Sequence, residues 1–160
     1  MARRTFSTIL LLAEGTDEGM QAARDAINLA ADEDAMLVMV SVVDTNTLRQ
    51  LLKYRIFIED EMRQYEQELE QSCRKQLDYL SQLAKKVNAR HRAELLTGAC
   101  HTAILEQQKH SRADLLVMGA FQATTVKTNL LAREKQLIID EIPCPVLLVP
   151  AVSGGGRSRG

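Results

Sequence analysis

The stretch ADLLVMGAFQATTVKTNLLAREKQLIIDEIPCPVLLVP, residues 113–150, decides the fold. It opens on a short apolar run, Leu115-Leu116-Val117-Met118, and ends on another, Val146-Leu147-Leu148-Val149. Between them Thr128 to Glu141 place Leu131, Leu137 and Ile138 at helical spacing, and Pro143-Cys144-Pro145 stops that helix. Runs without polar alternation suit strands covered on both faces. A strand, a helix and a second such strand pair in parallel through a right-handed crossover.

The same unit recurs upstream. Phe6 to Ala13 reads as a buried strand, apolar throughout from Ile9, broken by Gly15-Thr16-Asp17, where Thr16 or Asp17 can cap a helix carrying Met20, Ala23, Ile27 and Ala30 inward. Met36 to Val43 reads as a second buried strand and Ala93 to Leu96 as a shorter third, ended by Gly98. Thr102 to His110 reads as a helix through Ile104 and Leu105. The expected fold is α/β: a single doubly wound open sheet of five parallel strands with helices on both faces. In such sheets a ligand binds beyond the carboxyl ends of the strands, at the switch in strand order. That rule points to Ala13–Thr16, Val42–Asp44, Thr97–Gly98 and Met118–Gln122.

Thr47 to Arg90 forms an unusually long helical stretch, with Met62, Tyr65, Leu69, Cys73, Leu77, Leu80 and Val87 as its apolar stripe. Residues 59–70 carry six acids against Arg63, and residues 74–90 carry five bases against Asp78. Acids early and bases late suit the helix dipole, and a solvated face explains them better than a docking surface. The helix is expected to be solid from Asp60 to Val87, with residues 45–58 the most mobile part of the domain. The apolar character of Leu48 to Ile58 exceeds what a linker needs and fits a cap on the sheet edge or a binding segment.

A chain of 160 residues with 46% hydrophobic and 26% charged residues is the size and composition of one globular domain, placed at residues 1–150. The Gly/Ser/Arg-rich residues 151–160 read as a disordered tail. A net charge of −1 and an aromatic content of 4% give no basis for nucleic-acid binding or for an anionic membrane surface. The run after Arg3-Arg4 ends at Glu14, too short for a secretory signal, so a cytoplasmic location is expected. Cys73, Cys100 and Cys144 are widely and irregularly spaced and read as reduced thiols.

The blocks Ala113-Asp114-Leu115-Leu116-Val117-Met118-Gly119 and Pro143-Cys144-Pro145-Val146-Leu147-Leu148-Val149 resemble the universal stress protein family. Ile9-Leu10-Leu11-Leu12-Ala13-Glu14-Gly15-Thr16 is similar to that family's first strand and turn. The resemblance implies an adenine nucleotide alpha hydrolase-like, Rossmann-like sheet in a homodimer of stress physiology, with no settled catalytic activity. Members that bind ATP carry Gly-x2-Gly-x9-Gly-[Ser/Thr] after the fourth strand. Here Gly119 keeps the first position, Gln122 stands at the second, and Ala132-Arg133 replaces the last pair. The adenine side is better kept, through Val42, Met118 and Gly119. Glu14 replaces an Asp, and its extra methylene moves the carboxylate out by about 1.5 Å.

Two functional classes follow. The favoured one is a stress-response regulatory protein that acts as a homodimer through protein contacts, with a partner of unknown identity, no cofactor and no enzymatic activity. The alternative is a switch that binds ATP, ADP or AMP through a modified pocket of Glu14, Val42, Met118, Gly119, Lys127 and Arg133, the two bases standing in for backbone donors. Weak nucleotide hydrolysis is a distant third. Dimerisation is expected along Val146, Leu147, Leu148 and Val149, where an apolar sheet edge needs cover. Cys100, at a helix start, raises the option of a redox thiol, but a small residue filling a tight turn explains it better. Solvated cap positions account for His91 and His110, and Asp32-Glu33-Asp34 lacks the further ligands a metal would need.

Overall fold

The computed structural model describes residues 5–52, 59–121 and 126–152. In chain order the elements are β1 Thr8–Leu12, α1 Asp17–Glu33, β2 Met36–Val43, α2 Thr45–Leu52, α3 Glu59–Lys86, β3 His91–Thr97, α4 Cys100–Ser111, β4 Leu115–Gly119, α5 Val126–Glu141 and β5 Val146–Val149. The strands lie in the order β3-β2-β1-β4-β5, and every neighbouring pair is parallel. This is the doubly wound sheet expected from the alternation of apolar runs and amphipathic stretches.

Each face of the sheet has its own core. Ile9, Leu11, Leu37, Met39 and Val117 point to the side where α1 and α3 bring Ala22, Ala26, Leu77, Leu80 and Ala84. Leu10, Leu12, Val38, Val40, Leu116 and Met118 point the other way, against Ile104 of α4 and Ile138 of α5. Strand residues alternate between the two clusters with the period of two that a pleated strand imposes. The central strands are apolar at nearly every position because both faces are covered.

Polar groups tie the strand entrances together. Asp114, just before β4, accepts hydrogen bonds from the Ser7 and Thr8 backbone N–H groups at 2.9–3.1 Å. Thr16 caps α1 as expected, its Oγ1 accepting from Gly19 N–H at 2.9 Å.

Several boundaries differ from the sequence reading. The third strand runs from His91 to Thr97 rather than from Ala93 to Leu96. It pairs over its whole length with Leu37–Val43. As an edge strand it tolerates polar residues at both ends, so an apolar run marks only its middle. The helical stretch read over Thr47 to Arg90 holds two helices, α2 Thr45–Leu52 and α3 Glu59–Lys86, the second close to the expected Asp60 to Val87. Residues 53–58 lie outside the described residues. The fourth helix begins at Cys100, not Thr102, and the fifth at Val126, not Thr128.

Candidate functional site

Strand order reverses between β1 and β4, since β1 continues to β2 on one side and β4 to β5 on the other. The crevice at the carboxyl ends of these two strands is the place a doubly wound sheet offers to a ligand. Here two of the protein's own charged side chains, Glu14 and Lys135, meet. Glu14, two residues past β1, accepts the Gly119 N–H through Oε1 at 3.1 Å. Its Oε2 receives the Lys135 ammonium at 2.7 Å. Lys135 Nζ also donates to the Gly119 carbonyl at 2.9 Å and lies 5.9 Å from the Phe121 ring centre. Glu14 and Lys135 are 13% and 8% exposed at their side chains, so the pair is largely removed from water. Burial raises the Glu14 carboxyl above its ordinary range, and Lys135 and the Gly119 N–H only partly offset that shift.

Two further carboxylates close the neighbouring helix end. Asp44, just past β2, accepts the Cys100 N–H at 3.1 Å. Glu134 accepts the His101 N–H at 3.0 Å and binds His101 Nδ1 at 2.8 Å. These are the orphan N–H groups of α4, whose cap residue Ala99 supplies no side-chain bond. Among the described residues, the Gly119, Cys100 and His101 N–H groups at these strand ends already hold Glu14, Asp44 and Glu134.

Close packing reinforces the closure. A Cβ on Gly119 would come within 2.8 Å of the Glu18 backbone carbon and the Gly19 nitrogen. A Cβ on Gly19 would come within 2.5 Å of the Glu14 carbonyl oxygen. Glycine at both places lets the first turn of α1 settle onto the ends of β1 and β4.

Of the residues expected at a nucleotide pocket, Glu14 and Gly119 meet directly. Met118 is fully buried in the α4/α5 core, and Val42 is half-buried against the same cluster. Arg133 is exposed on α5, on a different face from its buried neighbours Glu134 and Lys135. Gln122 and the Lys127 side chain lie outside what the structure describes. Cys100 is buried, and desolvation followed by the charge of Asp44 pushes its thiol up, away from the thiolate of a redox residue.

Asp44 falls in the Val42–Asp44 segment to which the strand-end rule points, whereas Glu134 and Lys135 were not singled out from the sequence. The signal was present in α5: Glu134 and Lys135 fall between Leu131 and Ile138 at spacings of three and four, within the inward stripe. Charges inside an apolar stripe are unusual without partners, and the partners stand at the ends of β1 and β4 and in the first turn of α4.

The fold and the crevice define a doubly wound α/β domain with a switch point between β1 and β4. The sequence model of the universal stress protein family matches residues 5–150, and the chain belongs to that family. A universal stress protein of Thermus aquaticus is 30% identical over 149 residues, covering 90% of this chain and 98% of the relative. A solved universal stress protein from Lactobacillus plantarum superposes with a TM-score of 0.73 at 19% identity, over 93% of this chain and 99% of that one. Another, from Archaeoglobus fulgidus in complex with dAMP, gives a TM-score of 0.58 at 13% identity over 92% and 99%.

Proposed function

We propose that this chain is a stress-response regulatory protein that works through protein contacts as a homodimer and does not use ATP. One observation carries the reading: the Gly119 N–H at the switch point is bonded to Glu14, which is itself paired with Lys135. A nucleotide phosphate arriving there would face the Glu14, Asp44 and Glu134 carboxylates and would have to displace the paired Glu14 to reach the Gly119 N–H. No catalytic role is assigned to any residue. A cytoplasmic location belongs to the same proposal; among the described residues no helix is long and apolar enough to cross a membrane.

The dimer is proposed along β5. Leu147 and Leu148 are each 40% exposed on this edge strand, and two-fold antiparallel pairing would cover them with the same patch of a second copy. Sedimentation at micromolar concentration should give a dimer, and Leu147→Lys should give a folded monomer by circular dichroism. A wild-type monomer would refute the assembly.

The dAMP complex of the Archaeoglobus fulgidus relative supports a second reading, a switch responding to a monophosphate. Melting with AMP, ADP and ATP separates the two. A ligand at one hundred times its Kd raises stability by about 2.7 kcal/mol, so an unchanged Tm at millimolar nucleotide supports the nucleotide-free reading.

A further inference from the structure

The first half of α3 stands apart from the core of the sheet. Gln76 donates through Nε2 to the Glu14 carbonyl just past β1, so this position of the helix marks the carboxyl ends of the strands. The buried residues of α3, Leu77, Leu80 and Ala84, all follow it. None of residues 60–76 is buried. Those residues make about 25 Å of helix at 1.5 Å per residue. A helix in a protein draws most of its stability from packing, so a stretch of this length gains from a partner.

A line of exposed residues runs along one flank of α3 at alternating spacings of four and three. Glu61, Tyr65, Glu68 and Ser72 make its first half. Lys75, Tyr79, Gln82 and Lys86 make its second, and every one of them is exposed. Such spacing keeps one seam of a helix turned toward a neighbouring helix. Tyr65 and Tyr79 are 46% and 49% exposed. The helix dipole accounts for acids early and bases late, but not for two tyrosines on the same line. Glu68 has only an exposed hydrogen bond from Gln64. Among the described residues Glu61, Lys75 and Lys86 form no ion pair. Read from Ser72 in either direction, the line repeats with its charge inverted: an acid or a base, then a tyrosine, then a further charge.

We propose that α3 pairs antiparallel with α3 of a second copy of this chain, about a two-fold axis at Ser72. Tyr65 of each copy packs on Tyr79 of the other, and Glu68 faces Lys75. Glu61 faces Gln82 and Lys86. A parallel pair would set Glu61 and Glu68 against their own copies, so charge selects the antiparallel one. The seam is more polar than a permanent interface, which suits a reversible contact. α3 packs on β2 and β3, whereas β5 lies at the opposite edge of the sheet. The contact is therefore separate from the dimer edge proposed above and does not rest on it.

Sedimentation equilibrium of the Leu147→Lys chain, in which the β5 edge carries a charge, tests the proposal up to about 1 mM protein. The expected result is a monomer at micromolar concentration that dimerises with a Kd of about 1 mM or tighter. Raising NaCl from about 0.05 to 0.5 M should weaken the dimer, because the facing charges are exposed and screened. Glu68→Lys should weaken it by at least about fivefold, and Lys75→Glu added to the same chain should restore it to within about twofold. Residues 68 and 75 are too far apart along one helix to pair within a copy, so the rescue reads a contact between copies. Melting temperatures of the two variants, followed by circular dichroism, should match that of the parent chain. A chain that stays monomeric at 1 mM, an association that Glu68→Lys leaves unchanged, or a double exchange that does not restore it would overturn the proposal.

Discussion

Lys135→Met should be among the most damaging single substitutions in the protein, and a second substitution should largely reverse it. The ammonium sits 2.7 Å from Glu14 Oε2 at 8% exposure, and Met keeps the length of the stem without the charge. Removing one partner of a buried pair leaves the other charge uncompensated, which typically costs about 3–5 kcal/mol. For a domain of this length that is a fall in Tm of roughly 6–20 °C. Glu14→Gln in the same chain removes the orphan charge and keeps an oxygen for the Gly119 N–H. The double variant should lie within about 1 kcal/mol of wild type, since a buried pair can often be replaced by neutral groups at little net loss. Urea unfolding followed by circular dichroism at pH 7 gives the full cycle. The pH dependence has a definite sign. Glu14 holds its proton more tightly folded than unfolded, so its contribution to stability falls as pH rises from about 4.5 through its raised value. Lys135→Met removes the cation that opposes this shift and should extend that fall to higher pH. Additive single effects, or a loss below about 1 kcal/mol for Lys135→Met, would refute the reasoning.

Other expectations follow from the packing and the strand ends. Gly119→Ala should displace the first turn of α1 and destabilise by about 1–3 kcal/mol in a thermal melt, because its Cβ would meet α1 backbone at 2.8 Å. Asp114→Ala should cost about 3 kcal/mol in urea unfolding, since three backbone contacts at the start of β1 end on that one carboxylate. Cys100 should resist iodoacetamide at pH 8 until the protein is unfolded, whereas the half-buried Cys73 should react first; mass spectrometry of a timed quench distinguishes them.

The architecture was legible because buried parallel strands advertise themselves: Leu37-Val38-Met39-Val40 and Leu115-Leu116-Val117-Met118 have no polar face to hide. β3 was underestimated because an edge strand carries His91, Arg92 and Thr97 as comfortably as Leu96. The candidate site was half legible. Glu14 and Gly119 stood out because of where they fall relative to the first and fourth strands. What Glu14 bonds to did not, because the answer lies 121 residues away in Lys135, one helix turn beyond Leu131. The extra methylene of Glu14 foretold a changed reach; only the packing of α5 shows that the reach ends on an ammonium and a backbone N–H. The same holds for Asp44 and Glu134, ordinary surface acids by composition, which the fold turns onto the first two N–H groups of α4.

Calorimetric titration of the wild-type chain with Mg²⁺ and ATP at pH 7 tests the central claim most directly. With Gly119, Cys100 and His101 N–H groups already bonded to Glu14, Asp44 and Glu134, the expected result is no saturable heat in the micromolar range. A dissociation constant below about 10 μM, roughly −7 kcal/mol, would contradict it and show that the nucleotide displaces the internal carboxylates.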